Sequence, residues 1–153
     1  MSNIGSYDLL NLIGALLAKK WAPTARAKVV VAESPAHAVE IMSGVRSSTP
    51  VAVVFYTADA PAGDDAVFDT ALDATIRVGV LRKMDFGIKG SKAPKVLQSV
   101  DSLRKFMASD DAVLDDVLGG HCAYEGMSFM ATSEGRMLNG YALTYSPRYA
   151  YEV

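Results

Sequence analysis

The sequence predicts a single α+β domain over 1–153, built on a mostly antiparallel mixed sheet of about four to five strands flanked by helices. Three observations carry that expectation. From Asn139 the chain reads NGYALTYSPRYAYEV, in which Tyr141, Leu143, Tyr145, Tyr149 and Tyr151 alternate with the small or polar Ala142, Thr144, Ser146, Arg148 and Glu152. A period of two with aromatic residues on the odd positions is the pattern of a strand with one face on a core and one toward solvent. Val51 to Tyr56 (VAVVFY) is almost wholly apolar, as expected of a strand buried on both faces near the middle of a sheet. Finally, the strand-like runs neighbour one another with the helical runs grouped between them, whereas parallel pairing would require a helical crossover after nearly every strand.

The elements follow in order. Leu9, Leu10, Ile13, Leu16 and Leu17 form a stripe at helical spacing, with Ser6 placed as N-cap, Lys19 and Lys20 at the negative end of the helix dipole, and Pro23 as the stop. Lys28 to Ala32 (KVVVA) is a β-branched run suited to a strand. Ser34-Pro35 supplies a cap followed by proline at the first helical position, opening a short helix to about Met42 that Gly44 ends. After VAVVFY, an Ala-, Gly- and Asp-rich loop reaches Asp69, and Ala74 to Leu81 alternates Ile76, Val78 and Val80 against Thr75, Arg77 and Gly79. Arg82 to Lys95 has no period and is expected to be a long loop. Pro94 opens an amphipathic helix with Val96, Leu97, Val100, Leu103 and Met107 on one face, and Ser109 or Asp110 caps a second, short helix bearing Val113, Leu114, Val117 and Leu118. Met127 to Thr132 is a weaker strand, Ser133-Glu134-Gly135 a turn, and Met137 onward the returning strand, with Pro147 at a bulge or an edge. The chain is thereby expected to end inside its sheet.

Composition narrows the function classes. Half of the 153 residues are hydrophobic and 21% are charged, and the formal net charge is −2, so nothing in the charge points to nucleic acid or a membrane surface. The lone Cys122 cannot form an intramolecular disulfide, no secretory pattern opens the sequence, and no apolar run is long enough to span a bilayer. A soluble protein made in a reducing cytoplasm is expected.

No catalytic, cofactor-binding or metal-binding constellation emerges. His121-Cys122, inside GGHCAYEG, is the one place where a nucleophile and a base adjoin, but neighbours in an extended segment point opposite ways. With His37 and His121 the only histidines, a four-ligand zinc site lacks its usual donors. GIKGSKAPK (Gly87 to Lys95) departs from the phosphate-loop spacing. The acid pairs Asp64-Asp65, Asp110-Asp111 and Asp115-Asp116 suit caps and solubilising charge.

One charge pattern points to assembly. Asp59, Asp64, Asp65, Asp69 and Asp73 precede the strand Ala74–Leu81 with no basic residue among them, and Arg82, Lys83, Lys89, Lys92 and Lys95 follow it with the single acid Asp85. The two blocks sit at opposite ends of one strand. In a head-to-tail ring the acidic loop of one subunit meets the basic loop of the next, which makes Asp64, Asp65, Asp69, Lys83, Lys89 and Lys92 the candidate interface.

The ordered set formed by the N-terminal amphipathic helix, TPVAVVFYTAD (49–59), ATIRVGVLRK (74–83), VLQSVDSLRKFMASDDAVLDDVL (96–118) and the closing GYALTYSPRYAYE resembles the tail terminator or tail-completion (neck) proteins of tailed bacteriophages. The strand and helix over 28–42 are an addition to that pattern. The resemblance implies a non-enzymatic structural protein of the virion, assembled in the host cytoplasm. It would form a ring of six copies that ends polymerisation of the tail tube and offers a surface to the head or neck. Its implied partners are itself, the tail tube protein and the head–tail connector, with no membrane and no sequence-specific nucleic acid. The competing readings are another head–tail connector or adaptor and, from a different class, a small enzyme using Cys122 with His121 or His37.

Overall fold

The computed structural model describes residues 3–63, 70–83, 95–132, 134–135 and 137–151. Six strands form one sheet: β1 (Lys28–Val31), β2 (Val51–Pro61), β3 (Ala71–Leu81), β4 (Ala123–Ala131), β5 (Met137–Ser146) and β6 (Arg148–Ala150). The order is β1-β2-β3-β5-β4, with β6 also on β3. Only β1 and β2 are parallel, and they are the pair joined through a helix, α3 (Pro35–Ser43); the other pairings are antiparallel. The fold is α+β, as the grouping of strand-like runs predicts.

The final alternating run is divided. β5 and β6 lie on β3 in one register, Ile76 opposite Tyr145 and Asp73 opposite Arg148. Pro147 between them has no N–H to give the ladder, although its carbonyl accepts from Ala74 N at 3.0 Å. The division makes six strands from the five expected runs. β2 continues to Pro61 and β3 starts at Ala71, so part of the expected Ala-, Gly- and Asp-rich loop is ladder, with a register shift between Tyr56 and Ala58.

Helices cover both faces. On one side lie α1 (Ser6–Leu16) and α4 (Val96–Met107), whose Leu9, Leu10, Ile13, Val100 and Leu103 pack with Val54, Ile76, Val78, Leu143, Tyr145 and Tyr149. On the other side α3 brings Ala38 and Met42 onto Val51, Val53, Phe55, Met130 and Ala142. Ala142 is therefore buried, not turned to solvent as the alternation suggests, because α3 and Met130 close the second face. Gly79 makes this possible: a Cβ there would sit 2.7 Å from Met42 Sδ and 3.0 Å from Met130 Sδ.

Local expectations differ in four places. Pro23 does not stop the first helix; a π-turn (Leu17–Trp21) leads into α2 (Ala22–Ala25), with Pro23 in the opening turn of that segment, where its missing N–H has least effect. Helix termination comes at Arg26, in a left-handed conformation with φ 54°. The N-cap position of α1 belongs to Gly5, and Ser6 Oγ instead pairs with the Tyr149 hydroxyl at 3.0 Å. Leu97 is 47% exposed, because it stands a quarter-turn off the Val96–Val100–Leu103–Met107 stripe. The expected second helix shrinks to one 3₁₀ turn, Asp110–Ala112, followed by turns to Gly120; Val117 is buried in them and Val113 exposed. Pro94 lies outside the described residues; Lys95 is the N-cap of α4, and its N–H donates to Gln98 Oε1 at 2.8 Å. The cap at Ser34 is as expected, its Oγ accepting from His37 N at 3.1 Å.

Two side-chain ties hold the last strand. Tyr56 Oη donates to Asp59 Oδ2 at 2.6 Å and lies 3.0 Å from Tyr149 Oη. Because Tyr56 spends its one proton on the carboxylate, Tyr149 donates to Tyr56 and Ser6 donates to Tyr149. Burial first, and the Asp59 bond second, push the Tyr56 hydroxyl well above the usual phenol range. Arg148 Nε and Nη2 donate to the two carboxylate oxygens of Asp73 at 2.7 and 3.0 Å, which holds the Asp73 carboxyl below its ordinary range against the opposing effect of burial.

Two predictions follow from this packing. A Cβ at Gly140 would overlap the Val80 carbonyl oxygen and Leu81 Cβ, both on β3, so Gly140→Ala is expected to destabilise by about 1–3 kcal/mol in urea unfolding. A depressed folded-state pKa contributes stability above the unfolded value that is lost as pH falls through the folded one. Asp73→Asn is therefore expected to lower stability at neutral pH by roughly 0.5–1 kcal/mol for this half-exposed pair, and the deficit is expected to close as the pH drops below about 4.

Candidate functional site

The described strand at one margin of the sheet is β4, paired with β5 on one side only. Its residues alternate poorly, and a register shift between Tyr124 and Gly126 explains why. Tyr124 opposes Tyr145, Gly126 opposes Thr144, Met127 opposes Leu143 and Phe129 opposes Tyr141. Glu125 is the extra residue of a bulge, and Gly126 takes φ +122°, a conformation open to glycine. Without the bulge, Tyr124 and Met127 would fall on opposite faces. With it, Tyr124, Met127 and Phe129 all share the face of Tyr141, Leu143 and Tyr145.

That is the face α4 covers, but β4 lies beyond the helix. Phe129 is 68% exposed, Tyr124 44% and Met127 38%. Phe129 stacks on Tyr141 with centroids 4.8 Å apart, Tyr124 tilts against Tyr145 at 5.4 Å, and the Arg104 guanidinium lies 5.9 Å from the Tyr124 ring centroid. The rings are thus held from one side and bare on the other. Together they offer on the order of 300 Å² of apolar surface, in the range that marks interaction sites. The alternating backbone donors and acceptors of an outer strand lie beside it.

The residues expected at an interface fare unevenly. Asp64, Asp65, Asp69, Lys89 and Lys92 lie outside the described residues. Lys83 is exposed just after β3, and its N–H donates to the Ser47 carbonyl at 2.7 Å. Other members of the two charge blocks have work inside the fold: Asp59 accepts from Tyr56, Asp73 binds Arg148, and Arg82 is 5% exposed with its Nε toward the Lys83 carbonyl. The β4 ribbon escaped the sequence reading because GGHCAYEG hides the start of the strand at Ala123 and the bulge breaks its period; the spacing of Tyr124, Met127 and Phe129 around Gly126 was the available signal.

The Cys122 region is a cavity of about 330 Å³ bordered by Arg104, Met107, Ala108, His121, Cys122, Tyr124 and Tyr145. Burial pushes the Cys122 thiol up to about 12, so it is protonated at neutral pH and a poor nucleophile. His121 Nε2 lies 3.1 Å from the Ser109 carbonyl oxygen; since that oxygen only accepts, Nε2 carries the hydrogen. His37 is on α3, across the sheet, with Nδ1 accepting from Glu33 N at 3.1 Å. The Tyr145 hydroxyl is buried with no hydrogen-bond partner among the described residues, and burial raises its pKa above the phenol range. Such an unpaired group costs about 1–3 kcal/mol. Among the described residues no three His, Cys, Asp or Glu side chains gather to hold a metal ion, and no helix is long and apolar enough to cross a membrane.

Thiol labelling at neutral pH is expected to be slow in the folded protein and to accelerate in urea in step with unfolding; fast labelling of the native protein would contradict the buried, protonated state of Cys122. Comparison of the chain with protein-family models finds no match, and comparison with curated proteins finds none either.

Proposed function

We propose that this chain is a structural protein of a phage virion that forms a ring on the end of the tail tube, ends tube polymerisation and offers the surface to which the head or neck attaches. The observation that carries the assembly half of this reading is the one-sided apolar ribbon of Tyr124, Met127 and Phe129 on the outer strand β4. The phage assignment itself rests on the resemblance of the ordered sequence segments to tail terminator proteins. A protonated, buried Cys122 argues for contact over chemistry at the one candidate nucleophile.

A head-to-tail ring needs two different surfaces on each subunit. The other marginal strand of the described sheet is β1, four residues long. β1 runs with β2, and β3, β5 and β4 each reverse direction in turn, so β4 of one subunit would lie antiparallel to β1 of the next if the sheet continued. A ladder limited by four residues gives direction more than adhesion; the apolar side chains of the ribbon supply the adhesion. Such a ring closes by rotation, and its far surface presents no copy of the tube's growing end.

Sedimentation of the purified chain is expected to give a multiple of the subunit mass, six in the ring reading, and Phe129→Glu is expected to reduce it to the monomer without changing the circular dichroism. A native chain that stays monomeric at high concentration and also fails to bind the ends of isolated tail tubes would overturn the proposal.

A further inference from the structure

We infer that the cavity between α4 and the start of β4 is a binding site for a single carboxylate carried on an apolar body. This holds whether or not the chain forms a ring. The cavity holds about 330 Å³, a size suited to a small ligand or one inserted side chain. Its polar groups converge on one kind of chemistry. Tyr145 is only 2% exposed, and its hydroxyl, on a residue lining the cavity, has no partner among the described residues. A phenol in that state needs an acceptor for its proton.

Arg104 borders the same space. It gives one nitrogen to Asp101 at 2.6 Å, and a guanidinium carries five N–H donors in a planar fork, so donors remain for a second acceptor. Asp101 also sets the charge of the ligand. With half of its field met by Asp101, Arg104 suits a monoanion better than a phosphate dianion. The remaining walls are Met107, Ala108, Cys122 and the face of Tyr124, which favour an apolar body and disfavour a well-hydrated ion such as acetate. Both a free aromatic or branched acid and an aspartate or glutamate side chain from a second copy of this chain have this chemistry. Tyr124 belongs to both the cavity and the ribbon, so either source can reach it.

Benzoate titrated into full-length protein labelled at its methionine methyl groups is the test, followed by the Met107 signal in NMR. A saturable shift at millimolar benzoate is expected, with no saturation by the neutral benzamide over the same range. Tyr145→Phe and Arg104→Gln are each expected to weaken benzoate about tenfold, the effect of losing one charge-assisted hydrogen bond. Tyr145→Phe keeps the ring and removes only the unpaired hydroxyl, so its fold is secure. Absence of a saturable shift, equal binding of benzamide, or unchanged benzoate affinity in both variants would overturn the inference. Sedimentation in saturating benzoate then separates the sources: a fall in mass identifies an acidic side chain of a second copy, and an unchanged mass identifies a free acid.

Discussion

Strand β3 must be flanked by strands along both edges over its full length, and the rest of the fold is arranged to meet that demand. β2 occupies one edge from Leu72 to Leu81. The other edge is longer than any uninterrupted strand the sequence supplies, so β5 and β6 share it around Pro147. Close approach at Gly140 and the Asp73–Arg148 pair pin the two halves. Once β3 is enclosed, its two faces become the floors of two cores, one beneath α1 and α4 and one beneath α3. Everything that distinguishes one end of the sheet from the other, including the bare β4 margin, follows from which strands were available to enclose β3.

The helical layers show how packing overrides local signals. Pro23 is a strong breaker in isolation, yet Trp21 is 2% exposed and donates from Nε1 to Ser102 Oγ on α4 at 3.1 Å. Seating that indole between two helices stabilises by several kcal/mol through apolar burial, enough to carry the helix through a π-turn and past the proline. The hydroxyl relay Ser6–Tyr149–Tyr56–Asp59 does similar work at the opposite end, joining the first helix to β2 and β6 through one ordered line of donors.

What the residues disclosed in advance was what has a period. VAVVFY is buried on both faces as its composition demands, Ile76, Val78 and Val80 lie inward, and Ser34-Pro35 opens α3 with its cap in place. What stayed hidden depended on partners distant in sequence. Ala142 is small and could face either way; only Met42 and Met130 decide that it is buried. Glycine at 126 reads as a loop, although here it serves inside a strand. The charged blocks looked like a pair of matching loops, yet Asp59, Asp73 and Arg82 turn out to serve the fold, because an acid or a base gives no sign in sequence of whether its partner lies within the chain.

The bulge at Glu125 has a geometric consequence for any sheet that grows past β4. A straight border accepts a new strand at the same angle each time and so extends without limit, the geometry of a fibre. A border kinked by one residue, with its large rings gathered on the inner side of the bend, accepts a neighbour only at a fixed inclination. Repeated, a fixed inclination traces an arc instead of a line, and an arc can close.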